Sequence, residues 1–444
     1  MPEGDLRAVI PAALRSRSAR HAGVFLGSRV INGALALVQV YLATRAVGSA
    51  ESGRFFLLWT AAWLLAVVLM FGADGVLPRA VAEATVAGRS VVSMRRVLSA
   101  GALSGLVALP ILMVLLDVPL EGVGLLLALG VTWAAILTLG SLLKAHGRPD
   151  LSGVTTNVFW PVGGALAPLP LLGPGGTWIG LAALTLLASA ISLAATLAVT
   201  LRTLGAPPVL GLVGLRGVSV PVERDELGAA VLTSLHGLIV YLPVVLAALV
   251  GVPPAVAAGI FVATRVAGPF SWGYQAVVAV LTPRIAASFA RDDMPGLRKT
   301  LLHGSIAGAA LTWPLCLAGM LLAGPLLGLF DPAYREYTDV LVLLIAARAF
   351  DAATGPLGEA LLVGRLTWLD VGLVMCGVVA GTVATVALYG DLGDLAIGVG
   401  AAGGFVIMNA LRALALGRIL SRGHRDVAPR LAGQPKRSRA TTGS

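Results

Sequence analysis

Charge is scarce in this chain. Only 12% of its 444 residues are Asp, Glu, Lys or Arg, whereas a soluble protein is about a quarter charged. So little charge cannot build a water-facing surface, which excludes a soluble globular protein. Cysteine is nearly missing too. Cys316 and Cys376 each lie inside an apolar run, so neither a disulfide framework nor a cysteine metal site is indicated. Five histidines are scattered without an H-E-x-x-H run, and no metal is expected. No GxxxxGK[ST] loop occurs, so the chain holds no ATP motor, and no cofactor is expected. One polar cluster invites an enzymatic reading: Lys144, His146, Arg148 and Asp150. It surrounds a Gly-Arg-Pro turn and reads as a short basic loop. No convincing nucleophile–base pair stands elsewhere, and the chain is not expected to be an enzyme.

What is present is apolar surface. Hydrophobic residues make up 57% of the chain and mean hydropathy is +0.90. With about 20 apolar residues per crossing, the pattern predicts an all-α polytopic membrane protein of about twelve spans. They cover approximately 22–45, 55–77, 97–116, 122–143, 152–172, 178–201, 227–250, 257–281, 301–329, 339–362, 367–389 and 395–417. The apolar run after the first basic residues is too long for a cleaved signal and reads as a retained span. The 55 glycines suit close helix packing in lipid. The pairs Gly101/Gly105, Gly324/Gly328 and Gly377/Gly381 are spaced as such contacts are, but carry no functional weight in so glycine-rich a chain.

The net charge of +10 raises nucleic acid as a partner, but its distribution points to loop bias instead. With the N-terminus inside, segments assigned to the inside hold 25 of the 32 Lys and Arg residues, and those outside hold 3. That asymmetry places both termini in the cytoplasm of a cell inner membrane; no nucleic-acid partner is expected. Outside loops are short. The longest connection between spans, 202–226, falls between two sets of six. The expected organisation is a cytoplasmic segment 1–21, an N-lobe 22–201, a cytoplasmic linker 202–226, a C-lobe 227–417 and a basic tail 418–444 that can lie against anionic lipid.

Ionisable residues inside spans mark function by default. The stretch from Ala257 to Ala286 carries Arg265 about a third of the way along, at a cost of about 2.5–3.5 kcal/mol on insertion scales unless it faces water or a partner. Arg29 shares a helix face with Asn32, and Gln39 follows on the same span. Neither Arg29 nor Arg265 has an acidic residue within a turn on its own helix; a pairing across helices and an anion-binding cavity are both open. Asp74 near Arg79 can cap or gate a helix end. Arg348 and Asp351, three apart, can neutralise each other. Glu359 and Arg412 sit where long side chains snorkel, and Asp370 opens the next span. These give Arg29, Arg265 and Asn32 as candidate cavity residues. Gln39, Asp74, Arg348, Asp351 and Glu359 are candidates for cavity or gating roles.

Prolines at 161, 168, 243, 269, 314 and 356 fall in apolar runs and should kink helices. Trp59, Trp63, Phe270, Trp272 and Tyr274 either pack or stack on cargo. The halves also echo each other. Gly53 and Phe55 match Gly259 and Phe261 at an offset of 206, and Pro78-Arg79 match Pro283-Arg284 at 205, as an internal duplication would.

The ordered set GSAESGRFF (48–56), FGADGVLPRAVAE (71–83), TRVAGPFSWGYQAVVAVLTPRIAASFARDD (264–293), AGPLLGLFDPAYREY (323–337) and TGPLGEALLVGR (354–365) resembles the multidrug/oligosaccharidyl-lipid/polysaccharide exporter (MOP) superfamily. Its nearest resemblance is to the polysaccharide or O-antigen flippases. The resemblance covers about residues 20–420. It implies a V-shaped transporter of two six-helix lobes around a central cationic cavity, flipping an undecaprenyl-diphosphate-linked sugar. Ser28-Arg29 and Arg265 match arginines of the related lipid II flippases, where the latter is thought to hold the pyrophosphate. This chain departs from them in having about twelve spans instead of fourteen, and Thr60 where a further cavity arginine is expected. Both departures point to another glycolipid. Guanidinium forks suit phosphate oxygens. The implied partners are a lipid-linked glycan, membrane lipids, a coupling ion (Na+ or H+), and a polysaccharide polymerase with glycosyltransferases. The competing readings are an ion-coupled multidrug/cation antiporter of the same superfamily, which prefers cavity carboxylates, and a membrane glycosyltransferase or polymerase, which needs a large outer loop that the sequence does not provide.

Overall fold

A computed structural model describes residues 17–74, 77, 81, 92–93, 95–171, 176–212, 218–219 and 224–422. Pro78, Arg79, most of the segment 1–21, part of the linker 202–226 and the tail from 423 onward lie outside the described residues.

Long apolar runs form helices because each internal hydrogen bond spares a polar group from lipid. The first, α1 (Arg17–Met70), holds two of the expected spans. They are joined at Gly48, whose φ of 74° and ψ of 173° break the helical path. That φ is open to glycine at no steric cost. Helices α2 (Arg95–Leu115), α3 (Val123–Ala145) and α6 (Trp178–Leu204) are continuous crossings. The expected span 152–172 is broken into α4 (Pro149–Val154), a π turn (Thr155–Phe159) and α5 (Trp160–Leu166). Pro161 supplies no N–H to the carbonyl four residues back, and the wider π turn adjoins that gap.

A short helix α7 (Ala206–Leu212) leads to α8 (Arg224–Val240) and α9 (Leu242–Leu249), a pair bent by 71°. Pro243 lies at the bend. Next come α10 (Pro254–Ala267), a 3-10 turn (Gly268–Ser271) containing Pro269, and α11 (Trp272–Ala290). Helix α12 (Met294–Leu321) is continuous and carries Pro314 within it. After α13 (Ala323–Gly328), a second pair, α14 (Thr338–Thr354) and α15 (Leu357–Val363), is bent at Gly355-Pro356. Helices α16 (Thr367–Leu392) and α17 (Leu395–Arg422) close the described chain. Among the described residues, 8 helices pass for membrane crossings, or 10 with each bent pair as one. Splitting α1 at Gly48 and counting the broken 149–166 segment accounts for the twelve expected. Strand structure is limited among the described residues to β1 (Val92–Ser93) paired parallel with β2 (Val218–Ser219), a small departure from an all-α chain.

The chain separates into two compact units: Met1–Pro269 with Gly324–Thr338, and Phe270–Ala323 with Asp339–Ser444. Neither boundary falls in the 202–226 segment expected to divide 22–201 from 227–417. The reason is visible in the first unit, where α10 is seated on α1. Gly53 is buried there, and a Cβ at its position would collide with the Pro254 carbonyl. One residue cluster further along, the rings of Phe56 and Phe261 stack at 4.2 Å and 5°. In the second unit α16 and α17 pack through glycine. A Cβ on Gly377 or Gly381 would stand 2.6 Å from the carbonyl of Gly404 or Gly400, the close approach that small residues permit in lipid.

Replacing Gly53 with Ala should therefore lower the thermal midpoint in detergent, at a cost of about 1–3 kcal/mol from overpacking. Gly403→Ala is the control: its Cβ would meet nothing within 4 Å, and its midpoint should hold or rise.

Candidate functional site

The first unit builds an aromatic cage around Arg265. α10 delivers the guanidinium from its last turn, with its carbon 5.0 Å from the Phe261 ring centroid, 5.0 Å from Tyr241 and 5.8 Å from Trp59. All three lie within the range of cation–π attraction. The bend between α8 and α9 places Tyr241, and the second arm of α1 places Trp59. Among the described residues Arg265 has no carboxylate partner, and its Nε is buried without a hydrogen bond. It lines a hollow of about 10 Å³ with Ala36, Gln39, Val40, Phe55, Phe56, Trp59 and Phe261. Gln39 is 5% exposed, and its Nε2 donor also lacks an acceptor.

The rings are fixed by packing of their own. Trp59 contacts Phe55, Trp133 and Trp160, the last two at centroid distances of 4.7 and 6.2 Å. Trp63 stacks on Trp160 at 5.5 Å. Packing therefore accounts for Trp59 and Trp63, with Trp59 also offering a face to the cation.

Arg29 stands elsewhere. It is exposed, and the Asp74 carboxylate acts on it electrostatically. Its neighbour Ser28 is buried and accepts a hydrogen bond from Asn157 Nδ2 at 3.1 Å, and Asn32 is half-buried one turn on. Ten residues of helix separate Arg29 from Gln39, about 15 Å at 1.5 Å per residue. Arg29 is not among the residues that line the hollow beside Arg265. Asp74 takes hydrogen bonds from Ser141 Oγ at 3.0 Å and Lys144 Nζ at 3.3 Å.

The loop beside Lys144 is held by its own contacts. Arg148 donates from Nε and Nη2 to Asp150, both at 3.2 Å. That hydrogen bond raises the Arg148 pKa above its ordinary value. His146 Nδ1 lies 3.0 Å from the Leu142 carbonyl oxygen.

The second unit gathers most of the remaining intramembrane charge. Asp351 is buried and accepts from Asn409 Nδ2 at 3.2 Å; Tyr274 also hydrogen-bonds to it. Arg348 influences Asp351 only through space, since its guanidinium stacks over Phe405 at 4.7 Å. The direct pairing expected of these two is thus replaced by an aromatic contact. Glu359 is half-buried and accepts from Thr282 Oγ1 at 3.1 Å. Arg412 does not snorkel. It is 6% exposed, against 0% for Asp370, and grips that carboxylate with Nε at 2.6 Å and Nη2 at 2.9 Å. The reason is a partner within reach: Asp370 lies opposite on the neighbouring helix, and surrounding protein buries the pair. Sequence reasoning missed Tyr241, Trp133, Trp160, Asn157 and Asn409. The two asparagines carried a signal, a polar amide within an apolar span; the aromatic residues gave none.

No family model matches the chain, and no curated protein matches it. Solved structures do. An inward-facing multidrug resistance MATE family transporter of the MOP superfamily aligns with a TM-score of 0.62 at 15% identity, covering 88% of this chain and 94% of that one. A point mutant of the Vibrio cholerae MATE transporter VcmN aligns at 0.60 and 16% identity, covering 90% and 96%. A MOP superfamily transporter from Pyrococcus furiosus, reported with a binding pocket of reverse polarity suggesting a different function, aligns at 0.62 and 14% identity over 91% and 95%. The fold is that of the MATE transporters: a helical, multi-pass membrane protein built as MOP-superfamily transporters are.

Asp370→Ala would strand the Arg412 guanidinium in the interior. It should cost about 3–5 kcal/mol of stability, while an apolar replacement of both partners recovers most of it. Thermal unfolding of the single and double variants measures this. Lys144→Ala, which breaks a pair with side chains 43% and 52% exposed, should shift stability by less than about 1 kcal/mol.

Proposed function

We propose that the chain is an ion-coupled exporter of the multidrug type, exchanging a cation for an amphipathic organic cargo across the cell inner membrane. The observation that carries this reading is the charge balance of the second unit. Asp351, Glu359 and Asp370 stand there with Arg348 and Arg412, three carboxylates against two guanidinium groups. Such a network in low dielectric favours uptake of one further positive charge, H+ or Na+. Asp351 and Glu359 are its coupling candidates, because Asp370 is already held by Arg412. The bent pairs α8/α9 and α14/α15 supply joints for alternating access. The fold shared with multidrug resistance transporters supports the same reading. The bias of Lys and Arg between loops supports cytoplasmic termini.

A second reading keeps one specific observation: Arg265 has no carboxylate partner among the described residues, and the Gln39 Nε2 beside it is a donor without an acceptor. Such a lining suits an anionic cargo, here a polyprenyl-diphosphate-linked oligosaccharide moved between leaflets for surface polysaccharide synthesis. A polymerase and glycosyltransferases would be its partners. The superfamily includes a transporter reported with reversed pocket polarity. Arg29 and Asn32, with Asp74 nearby, would then act at a separate station from Arg265.

Proteoliposomes separate the two. Under the first reading, an imposed proton or sodium gradient drives accumulation of an organic cation, and Asp351→Asn or Glu359→Gln abolishes the gradient dependence while leaving the protein folded. If instead a fluorescent polyprenyl-diphosphate analogue changes leaflet, no cation accumulates, and Arg265→Glu stops the movement, the second reading holds.

A further inference from the structure

We infer that the aromatic cage of the first unit is a binding site for an organic cation, guanidinium or quaternary ammonium in class, which Arg265 fills as a built-in ligand. Three features converge. The cage binds a cation already, with no carboxylate to balance it among the described residues: the guanidinium carbon is held 5.0–5.8 Å from the centroids of Trp59, Tyr241 and Phe261. The cage does not depend on that cation for its shape. Phe261 is clamped against Phe56, Trp59 against Phe55, Trp133 and Trp160, and Tyr241 lies 6.4 Å from Trp63. Truncating the arginine would leave the rings standing around an empty place of guanidinium size. Finally, the site holds an unanswered donor. Gln39 Nε2 is buried beside the hollow without an acceptor, so a cation bearing an acceptor atom next to its charge would satisfy a group that Arg265, a donor only, cannot.

With Arg265 seated, the remaining hollow of about 10 Å³ is at or below the size needed for one water. The hollow therefore has no room for a second cation, and an external one must displace the partly exposed Arg265 side chain to enter. Cation–π attraction holds the resident guanidinium, which therefore competes with cargo of its own kind. The inference deepens the cation-export reading and rests on it for the physiological ligand. Binding at equilibrium is measured without any ion gradient, so it fails or succeeds separately from transport.

The test titrates tetramethylammonium and guanidinium, at concentrations far below denaturing, into purified wild-type and Arg265→Ala protein in detergent, with tryptophan fluorescence as readout. Na+ at equal ionic strength is the control. Arg265→Ala should show saturable quenching at least roughly tenfold tighter than wild type, a difference of about 1.4 kcal/mol. The change should vanish when Trp59→Leu is added. Should Arg265→Ala not fold alone, Arg265→Gln is read in its place, and the Ala variant is tested for recovery of its thermal midpoint by added guanidinium. Quenching equal to wild type in the folded variant, or equal quenching by Na+, overturns the inference.

Discussion

A guanidinium surrounded by hydrocarbon must be compensated where it stands, because no solvent can follow it there. Much of this structure answers that requirement, in two different ways. Arg412 is matched by a carboxylate with two short hydrogen bonds, and the pair is sealed from both water and lipid. Arg265 and Arg348 are placed against ring faces, an attraction that needs no opposite charge and leaves the net charge uncancelled. The first arrangement is stable and inert.

The helices around these charges are seldom straight. Gly48 redirects α1, a bend at Tyr241 swings its ring over Arg265, and the Gly355-Pro356 bend separates Asp351 from Glu359 along the chain. A broken helix in a membrane leaves backbone groups to satisfy, so breaks persist only where packing supports them. Here they bring polar side chains to the interior of their unit. Ser192 Oγ reaches the carbonyl of Phe159 within the π turn at 3.1 Å, an instance of a side chain answering a backbone group at a broken helix.

Much of the fold is legible in the sequence. Twelve crossings, the interruptions at Pro243, Pro269 and Pro356, and the isolation of Arg265 from acidic residues on its own helix all follow from hydropathy and local chemistry. Pro314 lies within α12 without interrupting it. The site was less legible. Arg348 and Asp351 have the spacing of an ion pair, but Phe405 takes the guanidinium and Asn409 the carboxylate, and both come from the last helix of the second unit. Arg412 had the look of a snorkelling residue because its partner, Asp370, lies 42 residues away.

What the sequence determined by itself was the medium and the number of crossings, since transfer of apolar side chains to lipid depends on composition and run length alone. It also marked the breaks at Pro243, Pro269 and Pro356, because proline's missing N–H is a local fact. The tertiary structure decided which partner each buried charge takes and which helices form a unit. The echo between Gly53 and Gly259 suggested two similar halves, but it was contact between Gly53 and Pro254 that joined α10 to α1. Partner choice depends on which side chains meet across helices, and no local rule of spacing carries that information.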